Sequence, residues 1–241
     1  MNDVNIQVTK DLNLTLTISG KKERPTLLLL HAGGENRTVW IPIIERLSNL
    51  QWQIIAPDLR GHGQSGRVNH YQFTDFVEDI NTVVSKIAGT PLVIVGGSIG
   101  GLIGFMIAGQ KDSPVNGLIS LDVTPHPPTA AGRQEGAKVA SAISAGKSQV
   151  STLDPKLASG ALVKDILAQT SLIRKRAKNI SCPVLLVQGR HSQAVGDKEI
   201  KTFRDDIPHA EIITLESGHL IARDHPKIVA TLIEEFTAKF R

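Results

Sequence analysis

Short apolar runs recur along the chain and predict the strands of a sheet. Six runs rich in Leu, Ile and Val are apolar along most of their length, which is typical of parallel strands buried on both faces. They cover residues 26–31, 52–58, 91–97, 115–122, 182–189 and 210–216. Before them, "NIQVTK" and "LNLTLTIS" predict two half-buried strands that form a hairpin at the edge of the sheet.

Segments with helical patterns separate most of these runs. We expect helices at about 37–49, 73–88, 99–110, 197–206 and 226–240, with Thr74 as the N-cap of the second. Strands that alternate with helices of this length form right-handed crossovers and a sheet covered on both faces. The sequence therefore predicts an α/β fold with a mostly parallel, eight-stranded sheet.

The segment from about Thr124 to Asn179 interrupts this alternation. It opens with "TPHPPTAAG" and continues through helical stretches of small residues before "SCPVLLVQG" resumes the pattern. A long helical insertion at one position of a sheet predicts a small lid over the carboxyl edge of the strands. We expect one domain over residues 1–241, with a core of 1–123 and 180–241 and a lid of about 124–179.

Composition limits the classes of function. The 241 residues are 41% hydrophobic and 21% charged, as in an ordinary globular protein. No apolar run reaches the roughly 18 to 20 residues of a membrane span, and the first residues lack the pattern of a secretory signal. Cys182 is the only cysteine, which excludes an internal disulfide and leads us to expect a cytoplasmic location.

The net charge of +4 does not by itself indicate a nucleic-acid partner. The one dense basic cluster is "RKRAK" at 174–178, which has no interleaved aromatic residue and predicts a solvated helix face. The sequence has no HExxH pattern and no cluster of His and Cys at metal-ligand spacing. We expect neither a metal nor a cofactor.

The stretch "VIVGGSIGG" at 93–101 places one serine, Ser98, among glycines. Residues 96–100 match the G-x-S-x-G pattern of a nucleophile elbow, in which a strand turns at once into a helix and presents the serine hydroxyl. Glycines on both sides let the neighbouring backbones pass without Cβ clashes. A helix that starts here would aim the N–H of Ile99 at a developing oxyanion. The alternative is a glycine-rich packing turn whose serine caps the helix.

Four motifs, taken together and in order, resemble the α/β-hydrolase fold family along essentially the whole chain. They are "LLLLHAGGENRTVW", "APDLRGHGQSG", "GGSIGG" and "ESGHL", and each accompanies a predicted strand. The resemblance implies a catalytic triad of serine, acid and histidine. It also implies an oxyanion hole shared with the loop after His31 and a lid after the sixth strand.

Of the eight histidines, His219 is the best candidate for the general base. It lies on a loop just past the last strand, from which it can reach Ser98 and take its proton. We expect His225 on the surface at a helix start, His62 in a structural "RGHG" turn, and His31 hydrogen-bonded to loop backbone.

The loop "HAGG" at 31–34 matches the oxyanion element of this family, with alanine in place of its first glycine. We expect the N–H of Gly33 to share the oxyanion hole with Ile99, and Gly34 is the alternative donor. Two glycines after a strand can also simply form a turn.

The place where this family usually carries its acid reads "VQGRHSQAVGD", with Ser192 and Gln193 where an aspartate is expected and Asp197 too far along, at a helix start. Asp122 ends the sixth strand in "LISLDVTP", next to the strand of Ser98, where some members of the fold hold their acid. There it would accept a hydrogen bond from His219 Nδ1–H and fix the tautomer. The other interpretation is that Asp122 caps a turn.

These residues predict a serine hydrolase that cleaves a carboxylic ester or lactone through an acyl-enzyme. A carbon–carbon bond hydrolase of the same fold would use the same triad, and a cofactor-free dioxygenase would pair a His base with an acid after the sixth strand. A small-molecule receptor with little turnover is the alternative outside enzymes. No Phe, Tyr or Trp lies between Thr124 and Asn179, which favours an aliphatic or small polar substrate. The expected partner is that small molecule, with neither nucleic acid nor a membrane.

Overall fold

The structure is a computed structural model that describes residues 1–126, 128–134, 153–157 and 160–240. Eight strands of these residues form one sheet in the order β1-β2-β4-β3-β5-β6-β7-β8. Their bounds are β1 Asn2–Thr9, β2 Leu12–Ser19, β3 Thr26–Leu30, β4 Gln53–Pro57, β5 Leu92–Gly97, β6 Val115–Leu121, β7 Val184–Gly189 and β8 Glu211–Leu215.

The first two strands form the predicted hairpin at one edge of the sheet. β1 pairs antiparallel with β2, and β2 pairs antiparallel with β4. Every other neighbouring pair in this sheet is parallel. The expected mostly parallel, eight-stranded sheet is therefore confirmed, and the carboxyl ends of its parallel strands meet at one edge.

Burial follows the apolar pattern of the strands. Every residue of β3 and β4 is buried, as the continuous apolar runs predict for strands covered on both faces. Exposed and half-buried residues alternate along most of β1, since this edge strand has one face in solvent.

Helices cover both faces of the sheet. They are α1 Ile41–Arg46, α2 Phe73–Ile87, α3 Ile99–Ala108, α4 Ala161–Ala168, α5 Thr170–Ala177, α6 Asp197–Asp206, α7 Ile221–Asp224 and α8 Pro226–Thr237. One apolar layer joins the sheet to α2, α3 and α6 through Phe76, Phe105 and Phe203. The opposite layer joins the sheet to α1 and α8 through Ile43 and Phe236.

The prediction of one continuous helix at 37–49 is wrong. The segment forms a 3-10 turn at Arg37–Trp40, then α1, then a second 3-10 turn at Leu47–Asn49. Pro42 has no N–H to donate to the carbonyl four residues earlier, so the first turn and α1 cannot share one continuous α-helical ladder.

The predicted N-cap of α2 is also wrong. α2 begins at Phe73, so Thr74 lies inside its first turn. The N–H of Phe73 donates to Oδ2 of Asp165 at 2.6 Å, which supplies the cap from the segment between β6 and β7. Sequence spacing around Thr74 cannot reveal a capping carboxylate that lies 92 positions after Phe73.

Part of the segment predicted as a lid lies within the described ranges. α4 and α5 are helical, as its pattern predicts. Asp154 accepts a hydrogen bond from the Tyr71 hydroxyl at 2.7 Å, and α5 packs against α3. Residues 127, 135–152 and 158–159 of this segment lie outside the described residues, and the division into core and lid remains a prediction.

The basic cluster at 174–178 lies at the end of α5. The side chains of Arg174 and Lys178 are about half exposed, and both pair with Asp206 at the end of α6. None of the helices within the described ranges is long and apolar enough to cross a membrane.

Candidate active site

Ser98 occupies a one-residue turn between β5 and α3. Its φ of 49° and ψ of −116° lie outside the usual regions for a residue with a side chain. Gly96 and Gly100 make this turn possible, because a Cβ on Gly96 would clash with the backbone of Gly100, and one on Gly100 would clash with the backbone of Leu30. The glycines are thus required because the backbones approach so closely. The strained backbone of Ser98 places its hydroxyl at the carboxyl edge of the sheet.

The strand register places Asp122 beside this turn. β5 and β6 run parallel with Gly97 opposite Leu121, so the next residue on each strand, Ser98 and Asp122, lies at the same level. The N–H of Ser98 donates to the carbonyl of Leu121 at 3.4 Å. The two candidate residues therefore leave adjacent strands at the same point.

Asp122 is fully buried and has a φ of 52°, a left-handed conformation that Asp tolerates better than most residues. Its Oδ1 accepts a hydrogen bond from the N–H of Gly189 at 2.9 Å. Its Oδ2 lies 2.7 Å from Nδ1 of His219 and also accepts a hydrogen bond from the hydroxyl of Ser192. The carboxylate thus has three donors, from the end of β7, the loop after β7 and the loop after β8, which offset part of the desolvation cost of its charge.

His219 lies on the loop between β8 and α7, and 28% of its side chain is exposed. An ionised carboxylate can only accept, so the contact with Asp122 requires the ring proton on Nδ1 and leaves the Nε2 lone pair free to act as a base. Among the described residues, no hydrogen bond joins His219 to Ser98. Catalytic hydrogen bonds of this kind often form fully only when substrate is bound.

Ser192 is a site residue that the sequence interpretation missed. Its hydroxyl donates to Asp122 and accepts from the N–H of Ala194 at 3.1 Å, so the loop after β7 supports the acid although it does not supply one. The signal was a short hydroxyl side chain at the place where the resemblance expects a carboxylate. Asp197 is the first residue of α6, as expected.

The peptide bond between Ala32 and Gly33 is held in one orientation. The carbonyl of Ala32 accepts hydrogen bonds from Nδ1 of His31 at 2.8 Å and from the N–H of Glu35 at 3.1 Å. Nε2 of His31 accepts from the N–H of Leu59 at 2.9 Å, so Nδ1 carries the ring proton. Because the C=O and N–H of a trans peptide point in opposite directions, the Gly33 N–H faces away from both donors.

This loop lies against the elbow. β3 pairs with β5 so that Leu30 is opposite Gly96, and a Cβ placed on Gly97 would lie 3.8 Å from the Cβ of Ala32. No described residue accepts a hydrogen bond from the N–H of Gly33 or of Ile99. The N–H groups of Gly33, after β3, and of Ile99, at the start of α3, thus lack acceptors among the described residues, as expected of oxyanion-hole donors.

The remaining histidines of this region are structural. His31 and His62 are buried, and both hydrogen-bond to loop backbone, as expected for His31. Burial lowers the pKa of His31 to about 4 and that of His62 to about 3, so both rings are neutral at physiological pH. His225 is half-buried directly before α8, less exposed than the surface position we expected.

Within the described ranges, no three His, Cys, Asp or Glu side chains lie close enough together to hold a metal ion.

Comparison with known proteins gives one matching family model. The model describes the alpha/beta hydrolase fold and matches residues 25–142, which include the elbow and the loop after β3. The 2-(acetamidomethylene)succinate hydrolase of Mesorhizobium japonicum is 26% identical to this chain over 257 residues, covering 92% of the chain and 91% of that protein.

Two further proteins resemble this chain over different shares of its length. Protein phosphatase methylesterase 1 of Bos taurus is 31% identical over 130 residues, which are 51% of this chain and 34% of the methylesterase. A carboxylesterase structure from the thaumarchaeon Nitrososphaera gargenis superposes with a TM-score of 0.85 over 98% of both chains, at 19% identity. The superposition shows that the two proteins share a fold.

Proposed function

Because the chain belongs to the α/β-hydrolase fold superfamily, we propose that it is a serine hydrolase that cleaves a carboxylic ester or lactone through an acyl-enzyme intermediate. The observation that carries the proposal is the 2.7 Å contact between His219 and the buried carboxylate of Asp122. Asp122 follows β6, and the neighbouring strand β5 presents Ser98 on a strained turn. A base held by an acid at the sheet edge that carries a serine hydroxyl is the arrangement that activates a serine nucleophile.

In the proposed reaction, Nε2 of His219 takes the proton of the Ser98 hydroxyl while Oγ attacks the substrate carbonyl carbon. The carbonyl oxygen becomes an oxyanion that accepts hydrogen bonds from the N–H groups of Gly33 and Ile99. The C–O bond to the leaving group breaks, and His219 gives its proton to the departing alkoxide. Water then attacks the acyl-enzyme with His219 as base, which releases the acid and restores Ser98.

Asp122 would act by orientation and charge. Its carboxylate holds the Nδ1–H tautomer of His219 and stabilises the imidazolium that forms during each proton transfer. The contacts from Gly189 and Ser192 fix the carboxylate itself. The acid therefore has no freedom to turn away from the histidine.

The names of the similar proteins support hydrolysis and leave the bond type open. One is named as a methylesterase and one as a carboxylesterase, whereas the third is named as a hydrolase of a substrate with an acetamido group. Carbon–carbon bond cleavage would use the same three side chains and cofactor-free oxygenation the pair of His219 and Asp122, so both are outcomes of a substrate screen. The intact pairing of His219 with Asp122 favours an enzyme over a receptor.

We propose a small-molecule substrate and a reducing, cytoplasmic compartment. The compartment rests on the single cysteine of the chain. Burial raises the pKa of the Cys182 thiol to about 11, so this thiol stays protonated and unreactive at neutral pH.

A turnover assay tests the proposal. Short p-nitrophenyl esters and aliphatic lactones are incubated with the wild type, with Ser98→Ala and with Ser85→Ala, which changes an exposed serine of α2. We expect ester turnover by the wild type and by Ser85→Ala, and a loss of about a millionfold in kcat for Ser98→Ala. Equal turnover by Ser98→Ala, or none by the folded wild type on any ester or lactone, would contradict it.

A further inference from the structure

Glu35 lies in the loop after β3, and its side chain is buried although no cation pairs with it among the described residues. Its Oε2 accepts a hydrogen bond from the N–H of Ala32 at 3.2 Å. Its own N–H donates to the carbonyl of Ala32 at 3.1 Å. One residue thus binds both polar groups of Ala32, the residue that precedes the expected oxyanion donor Gly33.

These two contacts constrain the two peptide planes that flank Ala32. The side chain of Glu35 holds the plane between His31 and Ala32, and its backbone holds the plane between Ala32 and Gly33. The second plane contains the N–H of Gly33, whose direction is fixed once the carbonyl is fixed. No atom lies within 4 Å of the position that a Cβ on Gly33 would occupy. Packing at that position therefore does not fix the conformation of Gly33.

The second carboxyl oxygen of Glu35, Oε1, takes no part in the contact with Ala32. Oε1 is buried and has no hydrogen-bond partner among the described residues. Burial raises the pKa of Glu35, while the hydrogen bond from Ala32 and the charges of Arg223 and His219 lower it and that of Asp224 raises it further. A proton taken up on Oε1 leaves Oε2 as a carbonyl oxygen, which still accepts from Ala32.

We propose that Glu35 is a positioning residue of the oxyanion hole, which acts by holding Ala32 so that the N–H of Gly33 faces the reacting carbonyl of the substrate. The inference rests on the proposed acyl transfer at Ser98. Its chemical requirement is a hydrogen-bond acceptor at Oε2, and a permanent negative charge is not required.

Two substitutions of similar length separate these features. Glu35→Gln keeps an acceptor oxygen without the charge, and Glu35→Met removes both carboxyl oxygens, leaves only a weakly accepting sulfur and keeps the chain length. Glu45→Ala, at an exposed glutamate of α1, is the control. We expect kcat for an ester to fall roughly tenfold to hundredfold in Glu35→Met with KM unchanged, because the oxyanion exists only after attack. Glu35→Gln and Glu45→Ala should stay within about twofold of the wild type.

Amide hydrogen exchange, measured by NMR, gives a readout that does not depend on turnover. We expect the Ala32 N–H to exchange at least about tenfold faster in Glu35→Met than in the wild type, and Glu35→Gln to restore its protection. Unchanged exchange in Glu35→Met, or an equal loss of kcat in Glu35→Gln and Glu35→Met, would overturn the inference. If the wild type hydrolyses no ester, the proposed function fails, and the exchange rates still decide whether Glu35 holds the loop.

Discussion

Asp58 and Asp122 follow two parallel strands, β4 and β6, at the same edge of the sheet, and both side chains are fully buried. Asp58 accepts hydrogen bonds from Arg37, through both its backbone and its guanidinium, and from the N–H of Gln64. Asp122 accepts instead from His219, Ser192 and Gly189. Position in the fold and burial therefore do not separate a structural carboxylate from a candidate catalytic one.

The two carboxylates differ in the side chain with which each is paired. A guanidinium keeps its proton at any physiological pH, so the pairing of Asp58 with Arg37 can hold two loops together and do nothing more. An imidazole exchanges its proton near neutral pH, so a carboxylate that orients it also controls where that proton goes. The comparison predicts that mutation of Asp58 lowers stability and that mutation of Asp122 lowers kcat.

The largest expected effect is that of Asp122→Asn on turnover. Asn tolerates the left-handed backbone at this position, so the fold should persist. Its amide nitrogen would face His219 Nδ1 as a donor and favour the wrong tautomer, and we expect kcat to fall by about 10⁴-fold. Ester kinetics on protein shown to be folded by circular dichroism measure this. Asp197→Asn at the start of α6 is the control and should retain full activity.

Asp58→Asn should have the opposite profile. Removing one partner of a buried ion pair leaves the guanidinium of Arg37 with the half-exposed Asp3 as its remaining carboxylate partner, and we expect a loss of about 3 kcal/mol in the free energy of unfolding. Denaturant unfolding measures the loss, and ester kinetics below the transition should give a kcat within about twofold of the wild type. A large fall in kcat with unchanged stability would remove the distinction between the two aspartates.

The smallest expected effect is that of Ser192→Ala. The substitution removes one of three donors to Asp122 and leaves the contact with His219 in place. We expect kcat to fall about threefold to tenfold, which corresponds to a rise of roughly 1 kcal/mol in the activation free energy, because Asp122 is held less firmly. Ser192→Thr keeps a hydroxyl and should recover most of the activity. An effect as large as that of Asp122→Asn would mean that Ser192 has a role of its own in the reaction.

Local patterns in the sequence were sufficient for much of this account. The apolar runs predicted the parallel strands because every residue of a doubly covered strand is buried. The glycines around Ser98 predicted the sharp turn because only glycine allows such close backbone approach. Asp122 could be proposed because the carboxyl ends of parallel strands meet at one edge of a sheet, and the observed register, with Gly97 opposite Leu121, brings it level with Ser98.

Contacts between distant parts of the chain could not be predicted in this way. The capping of α2 by Asp165, the bond from Ser192 to Asp122 and the bond from Glu35 to Ala32 depend on how loops meet in space. Ser, Glu and Asp are common in loops for many reasons, so their presence alone carries no signal. Only the packed structure distinguishes the ones that support the site.

The central claim is that His219 activates Ser98, and covalent labelling tests it most directly. The folded protein is treated with a fluorophosphonate, which adds to an activated serine, and the adduct is located by intact-mass measurement and peptide mapping. We predict one adduct per chain, on Ser98, in the wild type and none in His219→Ala. Equal labelling of Ser98 in His219→Ala, or no adduct on the folded wild type, would contradict the account.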